Sequence, residues 1–578
     1  MAQHFSPPHA LTRLWRRQLT HYPPPRQRFG YLMITIVSTV VLYYELYVQG
    51  AVATTIIAEF EVSFTQFVMI AVVGNLLGAF AALAAGLADR WGRANLITGG
   101  LFVTGSLVLF GLPAARGFGV YAALFVVLCV VEGMILVATP ALIRDFSPQL
   151  GRASAMGFWT FGPVLGSLLV TNVATNTLHT HPDWQFQFRV CGTVGLIVAV
   201  VAALGLRELA PQLRDQLMVS LRDRALIEAR AAGRAPARDG HWRQMLTADV
   251  LGSAVAISLY LIFYYVAVGF FVVYFATVFG YSEARANALA NWYWISTAVA
   301  LVATGFLSDR LRVRKPFMIV GALASALGIA LFAMQATQTH TGYYRFAAVL
   351  VLIGVGSGLS YCAWMAGFTE TVERHDPAGT ATGLAVWGWI NRIVVTIALT
   401  ALTLVLPATS TLADKGHHLA ELTSRYQSQL STLAALTPDT EARLLAAPQD
   451  PAVVDAAVRE LLARGLAADS TQANARLRRL TEDPVPQADR LFIETNGPAV
   501  AQATKDNPGQ WQRWWWVCMI AQLAFVPLVF VMAGRWSPKR AREDALRHRA
   551  RVDRELAALH LESPDLRATA ETQGRQHR

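Results

Sequence analysis

Three ionisable residues stand inside long apolar stretches: Glu45, Glu132 and Arg392. Charge in such surroundings is costly, so it is kept where it is paired or does work. Glu45 shares a stripe with Thr35, Ser38, Leu42 and Gln49, which recur at three-four spacing and occupy one helical face. A carboxyl facing a dry passage can gain and lose a proton as its surroundings change. Glu45 is the first expectation for that role because of its polar stripe, and Glu132 the second. Arg392 keeps its proton. Beside Asn391 and one turn from Trp389, it can either pair with a carboxylate or grip an anionic solute with two donors. Tyr264, Tyr265, Trp292 and Trp294 can complete the wall of such a passage, although aromatic residues also gather in interfacial belts.

Other chemistries have no visible residues. No Gly-x-x-x-x-Gly-Lys-Ser/Thr loop offers an ATP site, and neither a His-Glu-x-x-His pair nor a Gly-x-Ser-x-Gly elbow occurs. His417 and His418 are adjacent and cannot share a helix face. Cys129, Cys191, Cys362 and Cys518 all lie in apolar blocks, with no metal-ligand spacing among them. The sequence therefore predicts no catalytic residues, no metal and no cofactor, and the chain is not read as an enzyme.

The elements that must hold these residues follow from composition. Of 578 residues, 54% are hydrophobic and 15% charged, with mean hydropathy +0.38. The apolar residues come in blocks of roughly 20, the length that crosses ~30 Å of hydrocarbon as a helix. About twelve such spans are expected, near 30–52, 64–87, 95–113, 119–143, 153–174 and 187–206, then 251–279, 286–307, 316–335, 344–368, 380–406 and 514–534. The fold class is an all-α membrane protein. The net charge of +11 resides between spans and at the ends, which argues for membrane topology and lipid contact rather than nucleic acid.

Alternate loops carry Arg90 and Arg93, Arg144 and Arg152, a basic stretch after Arg207, and the run from Arg310 to Lys315; the opposite short loops offer Arg116 and Arg285. The positive-inside rule puts both termini in the cytoplasm. Lysine supplies only Lys315, Lys415, Lys505 and Lys539 of 49 basic residues, a composition of GC-rich bacterial genomes, so the expected location is a bacterial inner membrane. No short apolar core with a small-residue cleavage site precedes the first span. The expected organisation is a cytoplasmic tail 1–29, a six-helix bundle 30–206, a cytoplasmic linker 207–248, helices seven to eleven in 249–406, an external insert 407–512, helix twelve in 513–534, and a basic tail 535–578. Helical periodicity at Leu419–Leu433, Val453–Leu462 and Ala473–Leu480, broken at Pro484 and Pro486, predicts a helical cap. The cap is read as a spacer or lid, or as the contact for a partner in the cell envelope.

The halves repeat. A shift of 219 aligns Leu42 with Leu261, Gly50 with Gly269, Phe60 with Phe279 and Ser63 with Ser282. One residue more aligns Asp89 with Asp309 and Arg90 with Arg310, and another register brings Gly151, Ala153 and Trp159 onto Gly379, Ala381 and Trp387. The run Gly86-Leu87-Ala88-Asp89-Arg90-Trp91-Gly92-Arg93 resembles the loop between helices two and three of the major facilitator superfamily, with Ala85 where glycine is usual. A looser copy, Gly305-Phe306-Leu307-Ser308-Asp309-Arg310, lies in the second half. On helix five, Gly157, Gly162, Pro163 and Gly166 resemble the glycine-proline motif of proton-driven antiporters, with Ser167 replacing the last glycine; glycines at that spacing equally serve close packing.

The resemblance implies two pseudo-symmetric six-helix bundles and a central cavity lined by helices one, four, seven and ten. Glu45 and Glu132 would then face the cavity, and Arg392 would meet an anionic solute with Gln49, Asn391, Trp389, Tyr264, Tyr265 and Trp292 nearby. Asp89, Arg90, Arg93, Asp309 and Arg310 would form a conformational latch, Asp89 engaging the start of helix eleven near Thr380. The function expected on this resemblance is proton-coupled transport of a small organic solute, with organic acids the leading class. The alternatives are export of lipophilic compounds by proton antiport and a non-transporting sensor or scaffold that works through the insert.

Overall fold

The computed structural model describes residues 17–562, apart from 20, 84–91, 147–151, 211–244, 339, 376–379, 448 and 533. Its first half contains α1 (Pro25–Ala51), α2 (Phe64–Leu83), α3 (Arg93–Ser106, extended by a π turn at Leu107–Gly111), α4 (Phe118–Phe146), α5 (Arg152–Thr177) and α6 (Trp184–Gly205). The second contains α7 (Ala248–Tyr260, then Ile262–Phe279), α8 (Glu283–Leu311), α9 (Lys315–Gln335), α10 (Tyr343–His375), α11 (Thr380–Val405) and α12 (Gln487–Leu528). Among the described residues, nine of these helices are long and apolar enough to cross a membrane; α5, α8 and α12 are not among the nine. Large apolar side chains such as Phe80, Phe110, Ile197, Val299, Phe306 and Leu404 point outward, the surface expected against lipid.

The same packing scheme recurs in both halves. α2 lies on α4 as α8 lies on α10, α3 on α6 as α9 on α12, and α1 on α5 as α7 on α11. Between the halves, α5 presses on α8 and α2 on α11, two contacts that exchange under the repeat. Glycines allow the closest approaches. A Cβ on Gly166 of α5 would stand 2.9 Å from the Val40 carbonyl oxygen of α1, and one on Gly162 would overlap Thr39. Gly50 of α1 abuts the Val268 carbonyl beside Gly269 of α7, so repeat-related glycines meet where the halves touch.

Residues 407–486, between α11 and α12, leave the bundle at what is called here the insert face; β1 (Gln18–Leu19) and α13 (Pro538–Glu562) mark the opposite, terminal face. The insert has helices at His417–Arg425, which packs on α12, and at Gln427–Leu433, Pro438–Ala446, Pro451–Ala463 and Ser470–Glu482, which surround a small core of Leu436, Leu444, Leu461 and Leu477. Thr437, Asp450 and Asp469 cap three of them, two with proline in the first turn. Its root is tied down by the Thr409 hydroxyl, 2.6 Å from Asn507 Oδ1, and by Gln510 accepting from the Ala408 amide. Helix twelve differs from the sequence expectation. It is continuous from Gln487, because the polar residues before Arg513 extend the helix beyond the apolar block that hydropathy detects.

The small parallel pair of β1 with β2 (Glu208–Leu209) was not visible in the sequence. It seats Arg17, whose guanidinium donates to Thr98 Oγ1 and to the Ala202 carbonyl.

Candidate functional site

A central cavity with about 810 Å³ of empty volume, counting its solvent-open part, lies between the halves. α1 contributes Tyr43 and Tyr47, α2 Asn75, α5 Trp159 and Pro163, α7 Tyr264 and Tyr265, α10 Tyr361, and α11 Trp387, Asn391 and Arg392. α7 is interrupted at Leu261, which itself lines the cavity. Tyr264 donates to the Tyr47 hydroxyl at 3.2 Å, and Asn391 Nδ2 donates to the Tyr265 hydroxyl at 2.6 Å. Trp159 and Trp387, from opposite halves, meet edge to face with centroids 5.7 Å apart.

Arg392 reaches this cavity because α2 gives way to it. A Cβ on Gly78 would stand 2.6 Å from Arg392 Nη1, and a Cβ on Gly133 of α4 would stand 2.6 Å from the Gly78 carbonyl oxygen. α2 and α4 thus touch backbone to backbone, with the guanidinium laid across the junction. Among the described residues no carboxylate comes within ion-pair distance of Arg392, although Glu132 lies within its electrostatic reach. The alternative of a structural ion pair at Arg392 is not what the side chains adopt.

The two carboxyls sit elsewhere than expected. Glu45 is fully buried on the side of α1 turned away from the cavity, against Gly105 at the end of α3 and Gly195 of α6. Its stripe points into the first bundle, and Tyr43, Leu46 and Tyr47 face the cavity instead. Glu132 is also outside the cavity lining, one residue before Gly133, which is in it. Among the described residues neither oxygen of Glu132 has a hydrogen-bond partner, and Glu45 has the Thr104 hydroxyl of α3 beside it.

Other expected contacts divide the same way. Tyr264, Tyr265, Asn391 and Arg392 converge. Gln49 accepts from Tyr121 instead, inside the first bundle. Trp292 is 42% exposed on the outer surface, and Trp389 is replaced in the lining by Trp387, two residues earlier on the helix. Pro163 does line the cavity, Gly162 and Gly166 hold α5 to α1, and of Gly157 only its place on α5 is described. Tyr43, Tyr47, Asn75, Trp159, Tyr361 and Trp387 were missed; the Trp159–Trp387 repeat match was the available signal for the two tryptophans.

At the terminal face each half holds a similar charge cluster. Arg93 donates to Asp145 at 3.0 Å, and its amide donates to Glu208 at 2.6 Å. Gly92, at φ +88°, brings the chain up against that same carboxylate, a close approach that glycine allows. In the second half Arg314 bonds Asp309 at 2.9 Å and Glu370 at 3.1 Å, and donates to Ser308 Oγ at 2.7 Å. Arg310 is exposed instead of joining this cluster. Asp89 and Arg90 lie outside the described residues. Asp145, Glu208, Arg314 and Glu370 were not singled out from sequence. The equivalent separations, 52 residues for Arg93 and Asp145 against 56 for Arg314 and Glu370, are the trace that a search of the repeat could find.

The hydrogen bonds joining the halves, among the described residues, run from midway to the insert face. Glu283 of α8 accepts from the Thr54 hydroxyl, from the Thr55 amide at 2.9 Å and from the Thr55 hydroxyl at 2.8 Å. Asn287 donates to the Ala51 carbonyl, and Thr171 to Asn291 at 2.6 Å. The described conformation is closed there.

Comparison with known proteins gives this geometry its place. The family profile described as Major Facilitator Superfamily matches residues 35–413. The chain belongs to the major facilitator superfamily. It is a membrane-spanning transporter with the fold and the small-molecule cargo that membership entails. A probable nitrate/nitrite transporter of Mycobacterium tuberculosis is 27% identical over 351 residues, covering 58% of this chain and 79% of that protein. The high-affinity nicotinic acid transporter of Saccharomyces cerevisiae is 25% identical over 203 residues, 34% of this chain and 37% of that one. A proton:xylose symporter of known structure superposes with TM-score 0.53 over 67% of this chain and 90% of the other, at 14% identity, a likeness of fold.

Proposed function

We propose that this transporter carries a small organic anion, coupled to protons, by alternating access of its two halves. The observation that carries the reading is Arg392: a permanent cation at the cavity wall with no carboxylate in ion-pair range among the described residues. A guanidinium so presented suits a carboxylate, which it can engage with two parallel donors. The names of the relatives agree, since nitrate, nitrite and nicotinic acid are all anions near neutral pH.

Proton coupling is assigned first to Glu132 and then to Glu45. Glu132 stands beside the cavity wall and within the field of Arg392. The cost of charge on it therefore depends on whether Arg392 is covered by a bound anion, which links proton to solute. The charge clusters around Arg93 and Arg314 would steady the terminal face as the halves rock. The terminal face is taken as cytoplasmic and the membrane as the bacterial inner membrane, on the placement of basic loops. On this reading the halves are 30–206 and 249–406 with 513–534, joined by the linker 207–248, and the insert faces an envelope partner or acts as a spacer.

The test is flux in proteoliposomes. Uptake of a labelled organic acid should follow an imposed pH gradient and disappear in Arg392→Gln. Undiminished uptake in that variant, or uptake indifferent to the gradient, would sink the respective half of the proposal. A second reading, export of lipophilic compounds, is favoured by the aromatic lining and by Pro163 at the cavity wall; it requires neutral or cationic dyes to move against a pH gradient independently of Arg392.

A further inference from the structure

We infer that the solute is a flat aromatic monocarboxylate, an arene or heteroarene acid, held by its carboxylate on Arg392 and by its ring between aromatic side chains of both halves. This rests on the anion reading above and narrows it. Charge sets the first limit. Arg392 is the one charged side chain among the described residues of the lining, so the cavity offers compensation for a single negative group.

Shape and polarity set the second. An inorganic oxyanion can satisfy the guanidinium but engages none of the rings that make up much of the lining. A sugar or polyol needs hydrogen-bond partners around its whole rim, whereas many of the polar groups here are already engaged with one another. Asn391 and Arg392 sit together on α11, Asn75 keeps its amide on the Ala71 carbonyl, and the Tyr47 and Tyr264 hydroxyls bond each other. Beside the hydroxyls of Tyr43 and Tyr361, what remains is mostly ring surface. Tyr264 and Tyr265 stand at 89° with centroids 5.1 Å apart, and Trp159 meets Trp387 edge to face across the halves. Such a frame presents both faces and edges to a planar π system, a preference that a saturated ring of similar size cannot satisfy.

The floor is bare where the ring would lie. Gly388 is in the lining one turn before Arg392 and next to Trp387, and a Cβ there would meet nothing within 4 Å. A carboxylate on Arg392 would set an attached ring over this open strip of α11. An aromatic acid is then gripped by residues of both halves, which is what a solute must be to favour their closure.

The experiment is a binding titration of the full-length protein in detergent, followed by tryptophan fluorescence, with benzoate, cyclohexanecarboxylate, nitrate and benzamide. Benzoate should bind at least about tenfold more tightly than the other three. Trp387→Leu should erase its advantage over cyclohexanecarboxylate, and Gly388→Leu should weaken it about tenfold while the melting curve stays cooperative. If cyclohexanecarboxylate or nitrate binds as well as benzoate while Arg392→Gln abolishes all anion binding, the aromatic inference fails and the anion reading stands. If benzamide equals benzoate and Arg392→Gln changes nothing, the anion reading fails. Absence of binding by all four to cooperatively folded protein overturns both.

Discussion

Gly78 of α2 leaves vacant the space that the Arg392 guanidinium occupies; a methyl group there would stand 2.6 Å from Nη1 and 3.2 Å from Cζ. The glycine is on one half and the arginine on the other, so the cation is positioned by their contact. Gly78→Ala is therefore expected to push Arg392 off its seat and to weaken solute binding about tenfold, ~1.4 kcal/mol. The same change in an Arg392→Gln background should cost nothing further, a coupling that a double-mutant cycle of Kd values reads directly. Additive losses would mean that Gly78 acts on packing alone.

Glu132 and Glu45 should separate in function. Glu132→Gln is expected to abolish flux driven by a pH gradient while leaving solute exchange in place, because exchange needs no net proton movement. Glu45→Gln should keep its pH-driven flux, since its carboxyl lies between α1, α3 and α6 rather than at the cavity. Parallel measurements of gradient-driven uptake and counterflow check both; loss of coupling in Glu45→Gln alone would return the proton to the first bundle.

Closure at the insert face depends on Glu283. Thr55→Val removes one hydrogen bond to that carboxylate, a loss of ~1.5 kcal/mol or about tenfold in the open-to-closed ratio. The readout is alkylation of a cysteine at Val170, inside the closed interface, by an impermeant maleimide added from the insert side. Labelling should quicken about tenfold in Thr55→Val and at least as much in Glu283→Gln. Unchanged rates would show that apolar contacts such as Phe64 on Phe270 hold the face shut by themselves.

The insert should loosen in acid at one identifiable place. Burial pushes the Glu460 carboxyl up, but hydrogen bonds from the Thr440 hydroxyl and from the Thr437 amide and hydroxyl, with Arg464 nearby, outweigh it and hold the group below the usual glutamate range. A depressed carboxylate pKa contributes stability above its unfolded value, and that stability is lost as pH falls through the folded one. Amide protection at Thr437 and along Asp439–Ala446, taken relative to the intrinsic exchange rate at each pH, should therefore fall as the pH drops below the ordinary glutamate range. In Glu460→Gln that protection should be low already at neutral pH, and protection flat with pH in the native chain would remove Glu460 from this role.

The sequence by itself determined the number and order of the long helices, their division into two related halves and the presence of the insert. These follow from local quantities: apolar block length, the spacing of matched residues such as Gly50 and Gly269, and proline breaks at Pro484 and Pro486. It also marked Arg392, because a cation inside an apolar block is costly wherever it points.

Which way each helix turns was decided by tertiary structure. In a bilayer, the side of a helix that faces lipid and the side that faces protein are both apolar, so periodicity does not tell the cavity from the bundle interior. Polar stripes mislead further, because Thr35 of the stripe, like Thr39 beside it, satisfies its hydroxyl on a carbonyl of its own helix four residues back. Glu45 thus faces α3 and α6 while Tyr43 and Tyr47 meet the cavity. Two residues are about 200° of helical turn, which is why Trp387 lines the cavity and Trp389 does not, and why Trp294 is buried while Trp292 faces outward. The contact of Arg392 with Gly78 joins segments whose separation along the chain carries no signal, and only the packing of α2 against α11 brings them together.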